Sequence, residues 1–469
     1  MSLVFYDTET TGTLTAFDQI LQFAAIRTDS ALNELERFEI RCRLLPHIVP
    51  APGALRVNGA TVAMLTDAAL PSHYEMVRAI RQKLLSWSPA IFLGWDSLRF
   101  DEKLLRQAFY QTLHPLFLTN TGGNYRSDAM RLAKATSIFA PDALAIPRDQ
   151  TGGLIFKLEH VARANGFAHV NAHDAMADTE AALHLSRYVY ERAPDIWSSF
   201  MRFSQKAAVI NYLGDEPVFS LSDVFSGRAH SWLVTAICAN PANGSEHYVY
   251  NLAVDPALLA VMKEEELLAR LDQNPRPVIT LKCNGAPILT PADEAPDIAR
   301  ASAIGLDELI RRADALRDDA RLCQRLAAAY QTTRPVYGPS EFVEQKIYDD
   351  FISKSDERLM ADFHDAPWEE RKAIVARLGD ERLIELGQRL IWHERPDCID
   401  QAMRHKIEMN FARRAASTDD TAPWLTCERA IQEVDEMLAA EIDTAQRQPL
   451  ESLRGFLADR LERALTLLN

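Results

Sequence analysis

Acidic side chains stand directly after the first apolar run of the chain. Asp7-Thr8-Glu9 follows Leu3-Val4-Phe5-Tyr6, a β-forming stretch. Side chains two apart on a strand point to the same face, so Asp7 and Glu9 are expected to project together. Two neighbouring carboxylates repel each other, and a divalent cation such as Mg²⁺ or Mn²⁺ would relieve that repulsion. Taken alone, the stretch more often marks a strand that ends in a solvated turn.

Two later stretches add further candidates. Asp101 follows Phe100, comes after the apolar run 90–94 and opens a predicted helix. His173 precedes another predicted helix, on which Asp174 and Asp178 lie one turn apart on the same face. The spacing leaves open which of these two aspartates would face a metal. Each residue alone fits a helix-terminal charge or a surface histidine, whereas their occurrence together favours a catalytic set.

The elements around these residues predict an α/β layered domain at the N-terminus. Strands are predicted at 3–8, 20–27, 36–43 and 90–94, and helices at 72–87, 100–113, 125–139, 154–165 and 174–191. β-rich runs at 230–239, 247–254 and 277–283 predict a small antiparallel barrel or sandwich. Almost everything beyond residue 340 has helical periodicity. The predicted domains are therefore 1–193, 194–336 and 337–469.

Composition indicates a globular chain in a reducing compartment. The 469 residues are 47% hydrophobic and 25% charged, which is the balance of an ordinary globular protein. The six cysteines are far apart and form no Cys-x-x-Cys pair, so neither a zinc site nor a disulfide framework is predicted. With no signal peptide and no apolar run of membrane-spanning length, a cytoplasmic location is expected.

The formal charge of −15 does not exclude a nucleic-acid partner. Residues 1–193 contain 19 basic and 20 acidic residues, so this part carries only −1 and the remainder carries −14. If several of the N-terminal carboxylates hold metal, the rest of that surface is slightly basic. A local basic groove can coexist with an acidic whole.

The motif residues resemble the DEDDh exonucleases, which have a ribonuclease H-like fold, and within that group the bacterial exodeoxyribonuclease I family. The resemblance is strongest at 5–10, 22–29, 99–102 and 171–178, and weaker at 281–289 and 410–414. It implies a nuclease domain, a Src-homology-3-like barrel and a helical C-terminal domain. One departure is Ser97, since the family commonly has Asn four residues before the Phe-Asp aspartate.

The resemblance also implies residue roles. Asp7, Glu9, Asp101 and Asp178 are expected to hold two Mg²⁺ ions, which Mn²⁺ could replace, with His173 as the general base. Histidine suits that role because its side chain exchanges a proton near neutral pH. Substrate contacts are predicted for Glu9, Arg99 and Lys157. Further candidates for gripping a strand are Trp95, Lys103 and Arg126.

The implied activity is 3′-to-5′ hydrolysis of single-stranded DNA to nucleoside 5′-monophosphates, in DNA repair and recombination. The family binds the acidic C-terminal tail of single-stranded-DNA-binding protein, and a monomer is expected. Two alternatives remain open. One is an exoribonuclease or proofreading-type exonuclease of the same group. The length of this chain argues against it, since such enzymes need little beyond the first 193 residues. The other is a non-catalytic interaction protein, which would require a broken metal set.

Overall fold

The computed structural model describes residues 1–168, 173–300, 304–335, 338–440 and 444–469. Its N-terminal part, residues 1–193, contains a mixed sheet of five strands in the order β3-β2-β1-β4-β5. The strands are β1 (Ser2–Thr10), β2 (Ile20–Thr28), β3 (Glu34–Arg41), β4 (Ala90–Leu93) and β5 (Tyr125–Arg126). The helices are α1 (Pro52–Asn58), α2 (Val62–Leu65), α3 (His73–Trp87), α4 (Asp101–Gln111), α5 (Ala129–Phe139), α6 (Leu158–Ala164) and α7 (Ala175–Arg192).

Strand β1 lies at the centre of this sheet. It runs antiparallel to β2, with Asp7 opposite Ala24, and parallel to β4, with Leu3 opposite Ile91. Both faces of β1 are covered, because Val4 and Tyr6 join one buried cluster while Leu3 and Phe5 join another. Its central position therefore fixes where the two acidic residues at its end emerge.

Two predicted helices begin later than expected. Tyr125–Arg126 does not begin a helix but pairs in parallel with β4, and α5 starts only at Ala129. Asp128 sets that start, because its side chain accepts a hydrogen bond from Met130 N. Similarly, α6 starts at Leu158 rather than at residue 154, since Leu154 forms an isolated antiparallel bridge with Arg148.

The middle part, residues 194–336, contains a second sheet. Its strands, β6 (Phe219–Phe225), β7 (Arg228–Asn240), β8 (Asn243–Asn251), β9 (Val278–Lys282) and β10 (Ile288–Pro291), run antiparallel in the order β10-β6-β7-β8-β9. The helices are α8 (Pro194–Phe203), α9 (Lys206–Asp215), α10 (Pro256–Ala260), α11 (Glu264–Leu271), α12 (Asp297–Arg300), α13 (Leu306–Asp318) and α14 (Ala320–Thr332). Within the described residues, the edge strands β9 and β10 do not pair with each other. The predicted closed barrel is therefore not confirmed, and a single open sheet is observed instead.

The described residues of the C-terminal part, 338–440 and 444–469, are mainly helical as expected, and they pack back onto the N-terminal part. Its helices are α15 (Lys354–Asp365), α16 (Trp368–Val375), α17 (Glu381–Glu394), α18 (Gln401–Ala415), α19 (Cys427–Ala439) and α20 (Thr444–Leu468). Tyr74 and Leu113 share one buried cluster with Phe363 and Leu386, so a common core joins the two parts. Short 3-10 helices lie at Leu118–Asn120, Ala292–Glu294, Val343–Tyr348 and Pro396–Cys398. Among the helices of the described ranges, none is both long and apolar enough to cross a membrane.

Candidate active site

Three carboxylates meet at the end of β1. Asp7 and Glu9 project from the strand, and Asp178 comes from the first turn of α7, which packs against β1 and β2. One oxygen from each of the three carboxylates lies within 4.8 Å of the other two. The periodicity of the strand thus brings Asp7 and Glu9 to one side, and α7 supplies the third group.

The structure distinguishes Asp178 from Asp174. Asp174 is the N-cap of α7, where it accepts hydrogen bonds from Met176 N at 3.1 Å and Ala177 N at 3.3 Å. Its other oxygen accepts from Arg41 Nη2 at 2.6 Å and from Gln22 Nε2 at 3.0 Å. These bonds hold Asp174 at the helix end, whereas Asp178 joins Asp7 and Glu9.

Asp101 is the fourth predicted carboxylate, and it is only 4% exposed. Its Oδ1 accepts hydrogen bonds from Thr8 N at 3.1 Å and from Thr8 Oγ1 at 2.6 Å. Asp101 is not one of the three residues whose oxygens cluster within 4.8 Å. Its charge is nevertheless the strongest carboxylate influence on the pKa of Asp7. The Thr8 hydroxyl therefore ties α4 to β1, a role that sequence reasoning missed because Thr8 points away from Asp7.

The raised pKa values reflect burial first and crowded negative charge second. Burial, followed by the charges of Asp101 and Asp178, raises the pKa of Asp7 well above its ordinary value. Burial and the charge of Asp178 raise the pKa of Glu9 to about 8. Burial also raises the pKa of Asp101. A donor set made only of carboxylate oxygens suits hard divalent cations, and such a cation would offset the repulsion, so these residues fit a metal site.

His173 lies at the edge of the carboxylate cluster. Its backbone N donates to Asp178 Oδ1 at 3.4 Å, and its φ of 68° places it in the left-handed region. Its imidazole is 44% exposed, with Nε2 3.9 Å from Glu159 Oε2. Glu159 was not predicted, and no spacing signal in the sequence points to it. The preceding part of the 171–178 motif, residues 171 and 172, lies outside the described residues.

A groove of about 1020 Å³ lies between the N-terminal and middle parts. Its lining includes Arg99 and Lys103, which flank Asp101 in sequence, and Lys157, two residues before Glu159. Arg99 is 79% exposed and donates from Nε to Asp96 Oδ2 at 2.7 Å. The cations that line the groove are Arg99, Lys103, Arg126, Arg131, Lys134, Lys157 and Lys282, and the carboxylates are Asp96, Asp128 and Asp223. Its described lining is therefore positive although the whole chain carries −15.

The predicted substrate residues take different places in this arrangement. Arg99 and Lys157 line the groove, as do the weaker candidates Trp95, Lys103 and Arg126, whereas Glu9 belongs to the acidic cluster. Arg126 is not an unpaired cation, because its Nη1 donates to Glu102 at 3.1 Å. Contacts of Glu9, Arg99 and Lys157 with substrate stay predictions.

Ser97 occupies the position at which the family commonly has Asn. It is buried, and its Oγ accepts a hydrogen bond from Gly94 N at 2.9 Å. The hydroxyl therefore closes the turn after β4 that leads towards Asp101. A Cβ on Gly94 would come within 2.2 Å of the Tyr6 carbonyl oxygen, so this turn requires glycine.

The acidic cluster and two matching family models together place the chain among the exonucleases. The family model described as "Exonuclease" matches residues 4–186, and the model described as "Exonuclease I C-terminal domain" matches residues 341–460. Together the two models cover more than half of the chain. The chain belongs to the exonuclease I family.

Named relatives agree with this placement. The chain is 28% identical to exodeoxyribonuclease I of Escherichia coli K12 over 375 residues, which cover 76% of this chain and 78% of the relative. It is 26% identical to exodeoxyribonuclease I of Haemophilus influenzae over 402 residues, covering 82% and 84%.

Solved structures show the same fold. E. coli exonuclease I in complex with a dA16 oligonucleotide superposes with a TM-score of 0.85 at 23% identity, covering 98% of this chain and 99% of that one. Exonuclease I from Methylocaldum szegediense gives 0.85 at 24% identity, again covering 98% and 99%. Another similar structure is described as a zinc-bound form of the E. coli enzyme with single-stranded DNA.

Proposed function

We propose that this nuclease removes nucleotides one at a time from the 3′ end of single-stranded DNA and releases nucleoside 5′-monophosphates. The observation that carries the proposal is the carboxylate set of Asp7, Glu9 and Asp178, with Asp101 beside it. A cation-lined groove that includes Arg99 and Lys103, the residues flanking Asp101 in sequence, supports it. The similar proteins, exodeoxyribonuclease I and exonuclease I in complexes with dA16 and dT13 oligonucleotides, support the choice of substrate. A role in DNA repair and recombination follows from the same family.

Magnesium is the proposed cofactor. Asp7, Glu9 and Asp178 would hold it together with Asp101, and two such ions, when bound, supply positive charge to the phosphate and to the departing 3′-oxygen. Mn²⁺ offers the same preference for oxygen ligands. Thr8 contributes indirectly, because its two hydrogen bonds fix Asp101 Oδ1.

His173 is the proposed general base. Its imidazole is partly exposed at the rim of the cluster, so it can reach a water molecule on the substrate side. Glu159, 3.9 Å from its Nε2, would stabilise the imidazolium that forms when His173 accepts the proton. The hydrogen bond from the His173 backbone N to Asp178 would hold the base at a fixed position relative to the carboxylate cluster.

The groove is the proposed path of the strand. Arg99 and Lys157, which both line the groove, would contact phosphates there, and Glu9 would lie against the terminal nucleotide. The surplus of cations in the groove lining favours a polyanion there. The strand direction is proposed from the family relationship.

Several finer features belong to the same proposal. The chain divides into domains at 1–193, 194–336 and 337–469, and the middle domain is related to Src-homology-3-like barrels although its sheet is open. The acidic C-terminal tail of single-stranded-DNA-binding protein is the proposed protein partner, and the protein acts as a cytoplasmic monomer.

End-labelled strands test the activity directly. With Mg²⁺, a 3′ label should be released as mononucleotide from the first time points, while a 5′ label stays on strands that shorten progressively. Asp7→Ala should abolish release, and Asp142→Ala, which removes an exposed carboxylate elsewhere in the same part, should not. Early release of the 5′ label, or full activity in Asp7→Ala, would contradict the proposal.

The same assay separates the alternatives. Faster hydrolysis of an RNA strand of matched sequence would indicate an exoribonuclease. Binding of single strands without any metal-stimulated hydrolysis would indicate an interaction protein. All five predicted catalytic positions carry the expected residues here, which argues against that second alternative.

A further inference from the structure

The hairpin formed by β6 and β7 presents an aromatic face that the middle part covers only at one end. The strand register places Asp223 opposite His230 and Leu221 opposite Trp232, while Phe225 stands opposite Arg228 next to the turn. Further from the turn, this face packs into the buried cluster that includes Val209 and Tyr212 of α9. Towards the turn that cover ends, and Phe225 is 51% exposed.

Three rings on this face form one group. His230 and Trp232 are stacked almost in parallel, with ring centroids 5.9 Å apart and an interplanar angle of 9°. Phe225 lies 5.9 Å from His230 and 6.4 Å from Trp232, at angles near the middle of the possible range, 45° and 49°. His230 and Trp232 therefore support Phe225 from behind and restrict the positions that its ring can take.

The hairpin is anchored to the N-terminal part at two points. Leu154 N donates a hydrogen bond to the Gly227 carbonyl oxygen at 2.8 Å. Asp223 forms ion pairs with Lys134 at 3.3 Å and Arg131 at 3.9 Å. Gly227 has a φ of +72°, and a Cβ there would lie 3.0 Å from Leu154 N, so this close approach depends on glycine. The position of Phe225 relative to the N-terminal part is thereby fixed.

Phe225 also lines the groove between the N-terminal and middle parts. The middle part contributes Phe225 and Lys282 to the groove lining, and the N-terminal part contributes Arg99 and Lys157. An exposed aromatic ring among cations matches what single-stranded nucleic acid offers, namely flat base faces joined by phosphates. The lining of this one groove includes Phe225 as well as Arg99 and Lys103, which flank Asp101 in sequence, so one strand can contact Phe225 and these cations.

We propose that Phe225, backed by His230 and Trp232, is a base-stacking site for the single-stranded substrate, on the 5′ side of the nucleotide being removed. This inference rests on the proposed function and extends it, since it names the chemistry by which the middle part binds the strand. Stacking on an aromatic face is insensitive to base identity, which suits an enzyme that must process any sequence.

Equilibrium binding tests the proposal without hydrolysis. The probe is a fluorescein-labelled oligodeoxythymidylate, titrated with the full-length protein in the presence of a chelator and followed by anisotropy. Phe225→Ala should weaken binding about tenfold, the usual effect of losing one stacked base. Phe225→Trp should restore binding. Phe351→Ala is the matched control, because Phe351 is 89% exposed and lies outside the groove lining, and it should bind as the unmodified protein does.

A single abasic site moved along the probe makes the test specific. In the unmodified protein, one internal position should weaken binding when its base is removed, and Phe225→Ala should no longer respond at that position. An unchanged dissociation constant for Phe225→Ala, or an abasic profile identical to that of the unmodified protein, would overturn the proposal. Thermal unfolding of each variant shows whether the fold is intact.

The outcome is separable from that of the proposed function. If the protein is not an exonuclease of single strands, the unmodified protein fails to release 3′ nucleotides. If only the stacking site is wrong, release and binding persist in the unmodified protein, and Phe225→Ala matches it in both anisotropy experiments.

Discussion

Asp101 and Glu102 are neighbours at the start of α4, but Asp101 lies among carboxylates whereas Glu102 lies among arginines. Both are buried, with exposures of 4% and 1%. Asp101 lies near the other carboxylates, and its Oδ1 accepts hydrogen bonds from Thr8 N and Thr8 Oγ1. Glu102 has a different set of partners and accepts hydrogen bonds from two arginines, a threonine and a tyrosine: Arg106 at 2.7 Å, Arg126 at 3.1 Å, Thr119 at 2.7 Å and Tyr6 at 3.2 Å.

The difference shows how one helix turn combines stability with chemistry. The charge of Glu102 is balanced within the protein, so this residue fixes the first turn of α4 against β1 and β5. The charge of Asp101 adds to a set of carboxylates with raised pKa values, which a cation from outside the chain would balance. The hydrogen-bonded partners of Glu102 thus hold the first turn of α4 rigidly, and this turn keeps Asp101 in place beside the other carboxylates.

The largest expected effect is on the rate of nucleotide release and comes from the carboxylate cluster that contains Asp7. Asp7→Ala should lower the rate of nucleotide release by roughly 1000-fold or more, because it removes a ligand from the metal site. Its thermal midpoint without metal should not fall, since the change also removes repulsion. Single-turnover kinetics and calorimetry measure the two quantities. A large loss of stability would show that Asp7 is structural.

Glu102→Ala should lower the free energy of unfolding by about 3 kcal/mol, because Arg126 and Arg106 would lose a buried partner. Urea unfolding measures this, with Glu191→Ala, an exposed carboxylate on α7, as the control. Nucleotide release should fall less than in Asp7→Ala. A loss of stability no larger than that of the control would remove the distinction between the two residues.

Buried histidines between the N-terminal and C-terminal parts provide a third kind of site, one that stays uncharged. Burial lowers the pKa of His393 to about 3, and its ring stacks on that of His47. Because the unfolded chain takes up this proton below about pH 6.5 and the folded chain does not, stability should fall as the pH falls from 6.5 towards 3. His393 alone should contribute about 2 kcal/mol of that loss between pH 6.5 and 5.

Unfolding of His393→Phe at pH 7 and pH 5 tests this. The variant should lose less stability on acidification than the unmodified protein, and His405→Phe, at an exposed histidine, should behave as the unmodified protein does. An equal acid dependence in His393→Phe would contradict the expectation.

The smallest effect is expected at Arg99. Its side chain is 79% exposed, and water and salt screen its charge, so Arg99→Ala should raise the Michaelis constant only about two- to threefold. The dependence of binding on salt concentration should become less steep. Titrations at several salt concentrations measure this. A loss comparable to that of Asp7→Ala would place Arg99 within the catalytic cluster.

Local patterns were sufficient for several elements. The apolar spacing at 72–87 predicted α3, and the Ser72 side chain caps it together with Glu75. The capping signal and the helical period are both short-range, so they survive in the folded chain. The two-residue strand β5 was missed because it exists only through its pairing with β4. The open edge of the second sheet was missed for the same reason, since strand spacing does not report which strands meet.

The sequence by itself determined that Asp7 and Glu9 share one face, because the twofold period of a strand is a local property of the backbone. It also supplied Asp101, His173 and Asp178 as candidates. Only the tertiary structure decided between Asp178 and Asp174, joined Thr8 to Asp101, balanced Glu102 and brought Phe225 to the groove. Each of these depends on contacts between residues far apart in the chain, and such contacts are fixed by packing rather than by spacing.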